Sequence, residues 1–169
     1  MSERAIPAAV QAALERASSP DALLAFLTVT HPNLPDPIRV VSDLFDYVVA
    51  GATYIGMPFD YAILTDDESA PQTEIRMQNV DRKIGNALRG LTGRASLQLA
   101  VRSSADFNLS VDPRTEISGS PIYEFRQFEL VEVTVNAIEI SGRVILRDYS
   151  QEPYPGNRAT QRNCPALFR

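Results

Sequence analysis

Reactive side chains are what this sequence has fewest of. Among 169 residues there is one histidine, His31, and one cysteine, Cys164. A lone thiol excludes an internal disulfide framework and any cysteine cage for a metal within one chain. Its basic neighbour is Arg162, and a nucleophilic thiol needs a base and an oriented site. His31 precedes Pro32 in a proline-rich stretch; a triad or a histidine metal site needs partners that the chain does not offer. The phosphate-binding, dinucleotide, nucleophile-elbow and zinc-protease signatures are all missing. Asp60, Asp81, Asp106 and Asp148 are scattered carboxylates, and nothing in their spacing favours a glycosidase-like acid pair. The expectation is a protein that is not an enzyme and carries no cofactor and no metal.

Long apolar runs are lacking as well. No segment approaches the roughly 20 apolar residues of a membrane helix. The N-terminal region is amphipathic and alanine-rich rather than a secretory signal, so a chain made and folded in a reducing cytoplasm is expected. Positive charge is short too: the net charge is -5. Scattered basic residues on an acidic chain argue against nucleic-acid binding, which needs clustered Lys and Arg to displace counterions.

What is present is apolar material, 44% of residues against 22% charged. That suffices for one core and suggests one domain with an appendage. The 12 prolines cluster in two places and mark long shaped loops.

Ile6, Val10, Leu14 and Ala17 fall at helical spacing, so a short helix with a narrow apolar stripe is expected over 2–17. It packs on its own domain or serves as an arm docked on a neighbouring subunit. Leu23 to Thr30 reads as a buried strand, and the stretch from His31 to Pro37 as an extended loop, because proline lacks the ladder donor. A strand at Ile38–Val41 and a turn at Asp43–Asp46 follow. Next come a hairpin of Tyr47–Val49 and Thr53–Ile55, and a strand at Pro58–Leu64 with Phe59, Tyr61 and Ile63 on one face. Thr65 to Pro71 is an acidic loop without the alternate oxygens and glycine of a calcium loop. Thr73–Gln78 reads as a strand with Ile75 and Met77 inward.

From Asn79 to Leu91 the period changes. Val80, Ile84, Ala87, Leu88 and Leu91 predict a helix with Asn79 as N-cap and Gly90 or Gly93 as stop. Arg82, Lys83, Arg89 and Arg94 give it a basic exposed side. That side is a solvated face or a contact with an acidic neighbour such as the Asp66–Glu68 loop of another subunit. Strands are expected at Ser96–Arg102 and Ala105–Val111, the latter with Phe107, Leu109 and Val111 in phase, then a flexible connection from Asp112 to Pro121. Tyr123, Phe125 and Phe128 read as core. The stretch from Phe125 to Tyr149 alternates, with Val131, Val133 and Val135 on one face and Ser141-Gly142 as the hairpin break. Ser150 to Arg169 has no periodicity and reads as an extended arm with an apolar tip. Strands on both sides of one interior helix suit a barrel or sandwich with the helix on its side.

Three stretches carry a resemblance: FLTVTHPNLPDPIRVVSD, then YIGMPFDYAILTDDESAPQTEIRMQNVDRKIGNALRGL, then VILRDYSQEPYPGNRATQRNCPALF. In order and spacing they resemble a phage and prophage family known as a domain of unknown function and found among the tail genes of long-tailed phages. The resemblance covers roughly residues 8 to 168. It implies a tail-tip or baseplate component, similar in genomic position to the lambda-type minor tail protein L. Proteins of that assembly often use a tube-like barrel with one flanking helix. The lambda-type protein also holds an iron–sulfur cluster, which takes four thiolates; Cys164 alone does not supply them, so the cluster is not carried over.

The resulting expectation is mainly β: a tube-like β-barrel or sandwich with one flanking helix. An N-terminal helical arm spans 1–19, the barrel 20–149 and an extended C-terminal arm 150–169. Expected is a structural protein of the virion tail tip, a homo-oligomeric ring joining tail tube to central hub, threefold slightly preferred over sixfold. Its partners would be further copies of itself, the hub and the distal tail protein, with no nucleic acid and no membrane helix. Expected subunit contacts are Ile6, Val10, Leu14, His31, Leu34, Arg82, Arg89, Tyr154, Arg158, Leu167 and Phe168. The alternative is a tip adaptor contacting a host surface or a partner tail enzyme.

Overall fold

The computed structural model describes residues 18–61, 72–78, 82–91, 93–117 and 119–146, together with Ala8, Gln11, Ala12, Glu15, Arg16 and Arg162. Within them the chain is mainly β, as expected. The strands are β1 (Leu23–Thr30), β2 (Ile38–Val41), β3 (Tyr47–Val49), β4 (Ala52–Gly56), β5 (Phe59–Tyr61) and β6 (Gln72–Gln78). After helix α1 (Lys83–Arg89) come β7 (Ala95–Ser103), β8 (Phe107–Asn108), β9 (Arg114–Glu116), β10 (Tyr123–Val135) and β11 (Glu139–Leu146). All eleven belong to one sheet in the order β5-β6-β11-β10-β7-β1-β2-β4-β3-β9-β8. The order has two ends, β5 and β8, so the ladder does not return on itself.

β1 explains the architecture. Ala25, Leu27 and Val29 face one apolar core, while Leu24 and Phe26 face a second. A strand covered on both sides must be apolar at nearly every position, hence LLAFLTVT rather than an alternation. The larger core is lined by every strand from β5 round to β2 and by Ile84 and Leu88 of α1. The smaller core lies beneath the β4-β3-β9-β8 end of the sheet, where the rings of Phe26, Tyr47 and Phe107 meet. β1 and β7 pair antiparallel along their length, from Leu23 opposite Ser103 to Thr30 opposite Ser96.

β4 and β5 are separated only by Met57-Pro58. The end of β4 pairs with β2, the Met57 amide donates to Val41 O at 2.9 Å, and Phe59 then lies opposite Met77 on β6. One short stretch thus leaves β2 and arrives on β6, with Met57 and Phe59 both facing the larger core.

Several expectations are corrected. The turn between β10 and β11 is at Asn136–Ile138, with Asn136 N donating to Glu139 O at 2.8 Å, and Ser141-Gly142 lies inside β11. Gly142 is there for space: a Cβ would come within 2.6 Å of Leu130 Cδ1. Val131 does not share the core with Val133 and Val135, because the ladder register shifts between Val131 and Thr134 and Glu132 takes a φ of 52°. A bulge flips the side-chain phase. Ala105–Val111 is not a strand beyond Phe107–Asn108; Ser104–Asp106 is a 3-10 turn, and Leu109 and Val111 are exposed. The presumed connection after Asp112 contains β9. The helix starts after Arg82, which has a φ of 54° and gives no side-chain cap; Asn79 and Val80 lie outside the described residues. Gly90 ends it as expected. Ile63, the acidic loop and most of the N-terminal helix also lie outside them, Ala8, Gln11 and Ala12 of that helix being helical.

Candidate functional site

Three of the expected contact residues, His31, Leu34 and Arg89, fall at one end of the β1–β7 ladder. After β1, the amide of Leu34 donates to His31 O at 3.0 Å, and His31 Nδ1 accepts from Asn33 N at 3.0 Å. This fixes the turn between β1 and β2. A Cβ built on Gly93 would lie 3.9 Å from His31 Nε2, so the same turn adjoins the α1–β7 loop. Arg89, in the last turn of α1, donates from Nη2 to Val135 O at 2.8 Å and ties the helix to β10. Arg82 is exposed at the start of the helix. His31, Leu34 and Arg89 are therefore brought to one end of the β1–β7 ladder. Ile6, Val10, Leu14, Tyr154, Arg158, Leu167 and Phe168 lie outside the described residues.

At this end a groove of about 450 Å³ runs between the α1–β7 loop and the β10–β11 hairpin. Its apolar floor comes from Leu88, Leu91, Leu130 and Val133, with Val131 and Ile145 alongside. Arg94 stands on one rim, held by Glu129 at 2.8 Å; Arg143 and Glu132 face each other at 3.6 Å on the other. The Glu132 bulge shapes this wall. The larger core holds only a void of about 20 Å³, close to the space one water needs, so the interior is packed with side chains.

The opposite end of the ladder carries a polar clamp. Tyr47 is fully buried. Its hydroxyl donates to Asp43 Oδ2 at 2.6 Å and accepts from Arg114 Nη1 at 2.6 Å; Arg114 also bonds Asp43 Oδ2 at 2.9 Å. Burial, then the Asp43 carboxylate, push the Tyr47 phenol up to about 12. Arg102 of β7 pairs with Glu116 of β9, and Glu116 Oε2 accepts the Ala50 amide at 3.1 Å. These charge-assisted bonds hold the three residues of β9 in place. The clamp ties the 42–46 turn to β3 and β9.

The Arg114 guanidinium lies over the Phe45 ring, 3.9 Å from its centroid. Around it the 42–46 and 109–113 turns expose Leu44, Phe45, Leu109 and Val111, Leu44 being 78% exposed. Sequence reasoning missed this patch. The available signal was two large apolar residues between Asp43 and Asp46, where a turn needs none. Among the described residues no group of three or more His, Cys, Asp or Glu is placed to hold a metal ion, and no helix is long and apolar enough to cross a membrane.

Among the described residues, fold and surface together define a mainly-β domain of one sheet with the short helix α1 against it, a packed interior and a groove at one end. The chain belongs to the DUF1833 family, a domain of unknown function, which matches residues 9–159. No curated protein matches the chain.

Proposed function

We propose that this protein is a structural component of the tail tip or baseplate of a long-tailed phage, forming a ring that connects the tail tube to the central hub. The observation that carries the reading is a wall of strands around a packed apolar core with helix α1 set against it. The sequence resemblance to tail-module proteins points to that architecture. We read the wall as a barrel. The β4–β5 stretch runs from β2, which β4 pairs, to β6, which β5 pairs, and closure around a core filled by side chains is the usual state of a small barrel. In a ring of such barrels, extended arms add contacts between neighbours that a compact wall alone does not make; residues 150–169 are the proposed arm.

The test is deletion of Pro153–Arg169 in a phage carrying this gene. The deleted protein is expected to remain folded, with far-ultraviolet dichroism of a β protein, while tail assembly stops. Normal tails built with the deletion would overturn the proposal of the arm, and the absence of the full-length protein from purified tails would overturn the ring.

A further inference from the structure

The apolar turns beside the Tyr47 clamp and the C-terminal stretch of the sequence are alike in apolar content and opposite in charge. We propose that residues 153–169 of one copy dock on the exposed 42–46 and 109–113 turns of a second copy of this chain. This deepens the ring reading above and rests on it: it names the surface that receives the arm.

The receiving surface consists of Leu44, Phe45, Leu109 and Val111, each between 41% and 78% exposed. The two turns sit side by side because the Arg114 amide donates to Asp46 O at 2.8 Å and its guanidinium lies over the Phe45 ring. The bonds among Asp43, Tyr47 and Arg114 hold the first turn. β4 backs it so closely that a Cβ on Gly56 would come within 2.6 Å of Phe45 O. Large apolar side chains held outward on two fixed turns mark a contact surface rather than a solvated loop.

Charge selects what covers it. Asp43 is taken up by Arg114. Asp46 accepts the Gly56 amide on Oδ1 at 2.8 Å, and Asp112 is exposed; among the described residues neither carboxylate forms an ion pair. The apolar patch is therefore flanked by uncompensated negative charge. Residues 153–169 read PYPGNRATQRNCPALFR. They carry Arg158, Arg162 and Arg169 without any Asp or Glu, and the apolar side chains Tyr154, Leu167 and Phe168. Arg162, the described residue of this stretch, is exposed and likewise forms no ion pair among the described residues. Charges of opposite sign thus stand unpaired on the two surfaces within one chain, and a second copy brings them together. Unlike potentials facing each other guide register and suppress wrong pairings.

Position agrees with the pairing. β11 ends at Leu146, opposite Phe128, and Phe128 lies opposite Leu97 of β7. The 42–46 turn leaves β2 where Ser42 N donates to Ala25 O at 2.9 Å, and Ala25 lies opposite Val101. The arm is thus rooted toward the other end of β7 from the turns that receive it. Residues 147–169 span at most on the order of 75 Å, which is ample to reach a neighbour. Two different complementary surfaces on one subunit make a heterologous contact, which closes into a ring when the rotation between neighbours divides a full turn.

The experiment uses the full chain and two variants, with molar mass read by light scattering after size exclusion over a concentration series. Leu44→Asp with Leu109→Asp spoils the receiving turns; Leu167→Asp with Phe168→Asp spoils the arm. Wild type is expected above the 18.6 kDa of one chain, and each variant alone is expected as a monomer. A 1:1 mixture of the two variants retains one intact arm and one intact patch, so it is expected to give a dimer and nothing larger. That dimer also shows both variants to be folded. Raising salt from about 0.1 to 1 M shortens the screening length from about 10 to 3 Å. The wild-type association midpoint is then expected at a protein concentration about threefold higher or more.

Variants that keep the wild-type mass, a mixture that stays monomeric, or a midpoint indifferent to salt would overturn the docking. A monomeric wild type that is nevertheless found in purified tails would overturn the docking and leave the tail reading standing. An arm-dependent oligomer absent from purified tails would uphold the docking and sink the tail reading.

Discussion

Tyr47→Phe isolates the clamp that fixes the β3–β9 end of the sheet. The ring stays: it makes edge contacts with Phe26 and Phe107 at centroid distances of 5.7 and 4.9 Å, and phenylalanine keeps these. Only the hydroxyl goes, and with it the 2.6 Å bonds to Asp43 and Arg114. A hydrogen bond to a charged group is worth about 1.5–3 kcal/mol. Asp43 and Arg114 keep their own 2.9 Å bond, which offsets part of the loss, so we expect a cost of about 2 kcal/mol. At this chain length that lowers Tm by about 4–8 °C. The sign with pH follows from the raised phenol. Its pKa moves from 10.0 to about 12 in the folded state, so the folded chain holds this proton more tightly than the unfolded one. The stabilisation is full below pH 10 and is lost as pH rises through about 12. Thermal melts of wild type and variant from pH 8 to 12 give the measurement. The gap should narrow across the upper two units. A variant as stable as wild type at pH 8, or a gap that widens with pH, would refute the clamp.

Three further substitutions probe the rest of the fold. Gly56→Ala places a Cβ 2.6 Å from Phe45 O and 2.7 Å from Leu44 C; backbone cannot yield as a flexible side chain does, so a loss of about 2 kcal/mol or more is expected in urea melts. Leu97→Ala empties a site that is 1% exposed in the larger core and should cost about 2–5 kcal/mol, with an unchanged cooperative transition. Glu132→Gly relieves a left-handed φ of 52° and breaks only an exposed pair at 3.6 Å; equilibrium unfolding should show a gain of about 0.5–1 kcal/mol, and a loss would mean that the pair outweighs the strain.

The long strands were legible because burial writes itself into apolar spacing. β1, β6 and β7 appear nearly at their observed bounds. Gly142 misled for a physical reason: glycine marks either a turn or a close approach, and here the approach is Leu130 across the ladder. The phase change within β10 was invisible because Glu132 is an ordinary strand residue until the bulge gives it a positive φ. β9 was invisible because Arg114 and Glu116 hold it through partners 71 and 14 residues away. Arg82 and Arg89 were expected as contacts from helical spacing and His31 and Leu34 from the proline-rich turn, and none of the four lines the groove. That the His31 turn meets the α1–β7 loop depends on the β1–β7 pairing, which no local pattern encodes. The exposed turns around Phe45 were missed because Leu109 and Val111 imitated a strand face.

The central proposal is that copies of this chain build a ring in a phage tail tip. Its most direct test is quantitative mass spectrometry of purified tails, with isotope-labelled peptides of this protein counted against a tail component of known copy number. Three or six copies per tail is the result the account predicts. Tails that assemble without the protein, or that hold a number no closed ring allows, would contradict it.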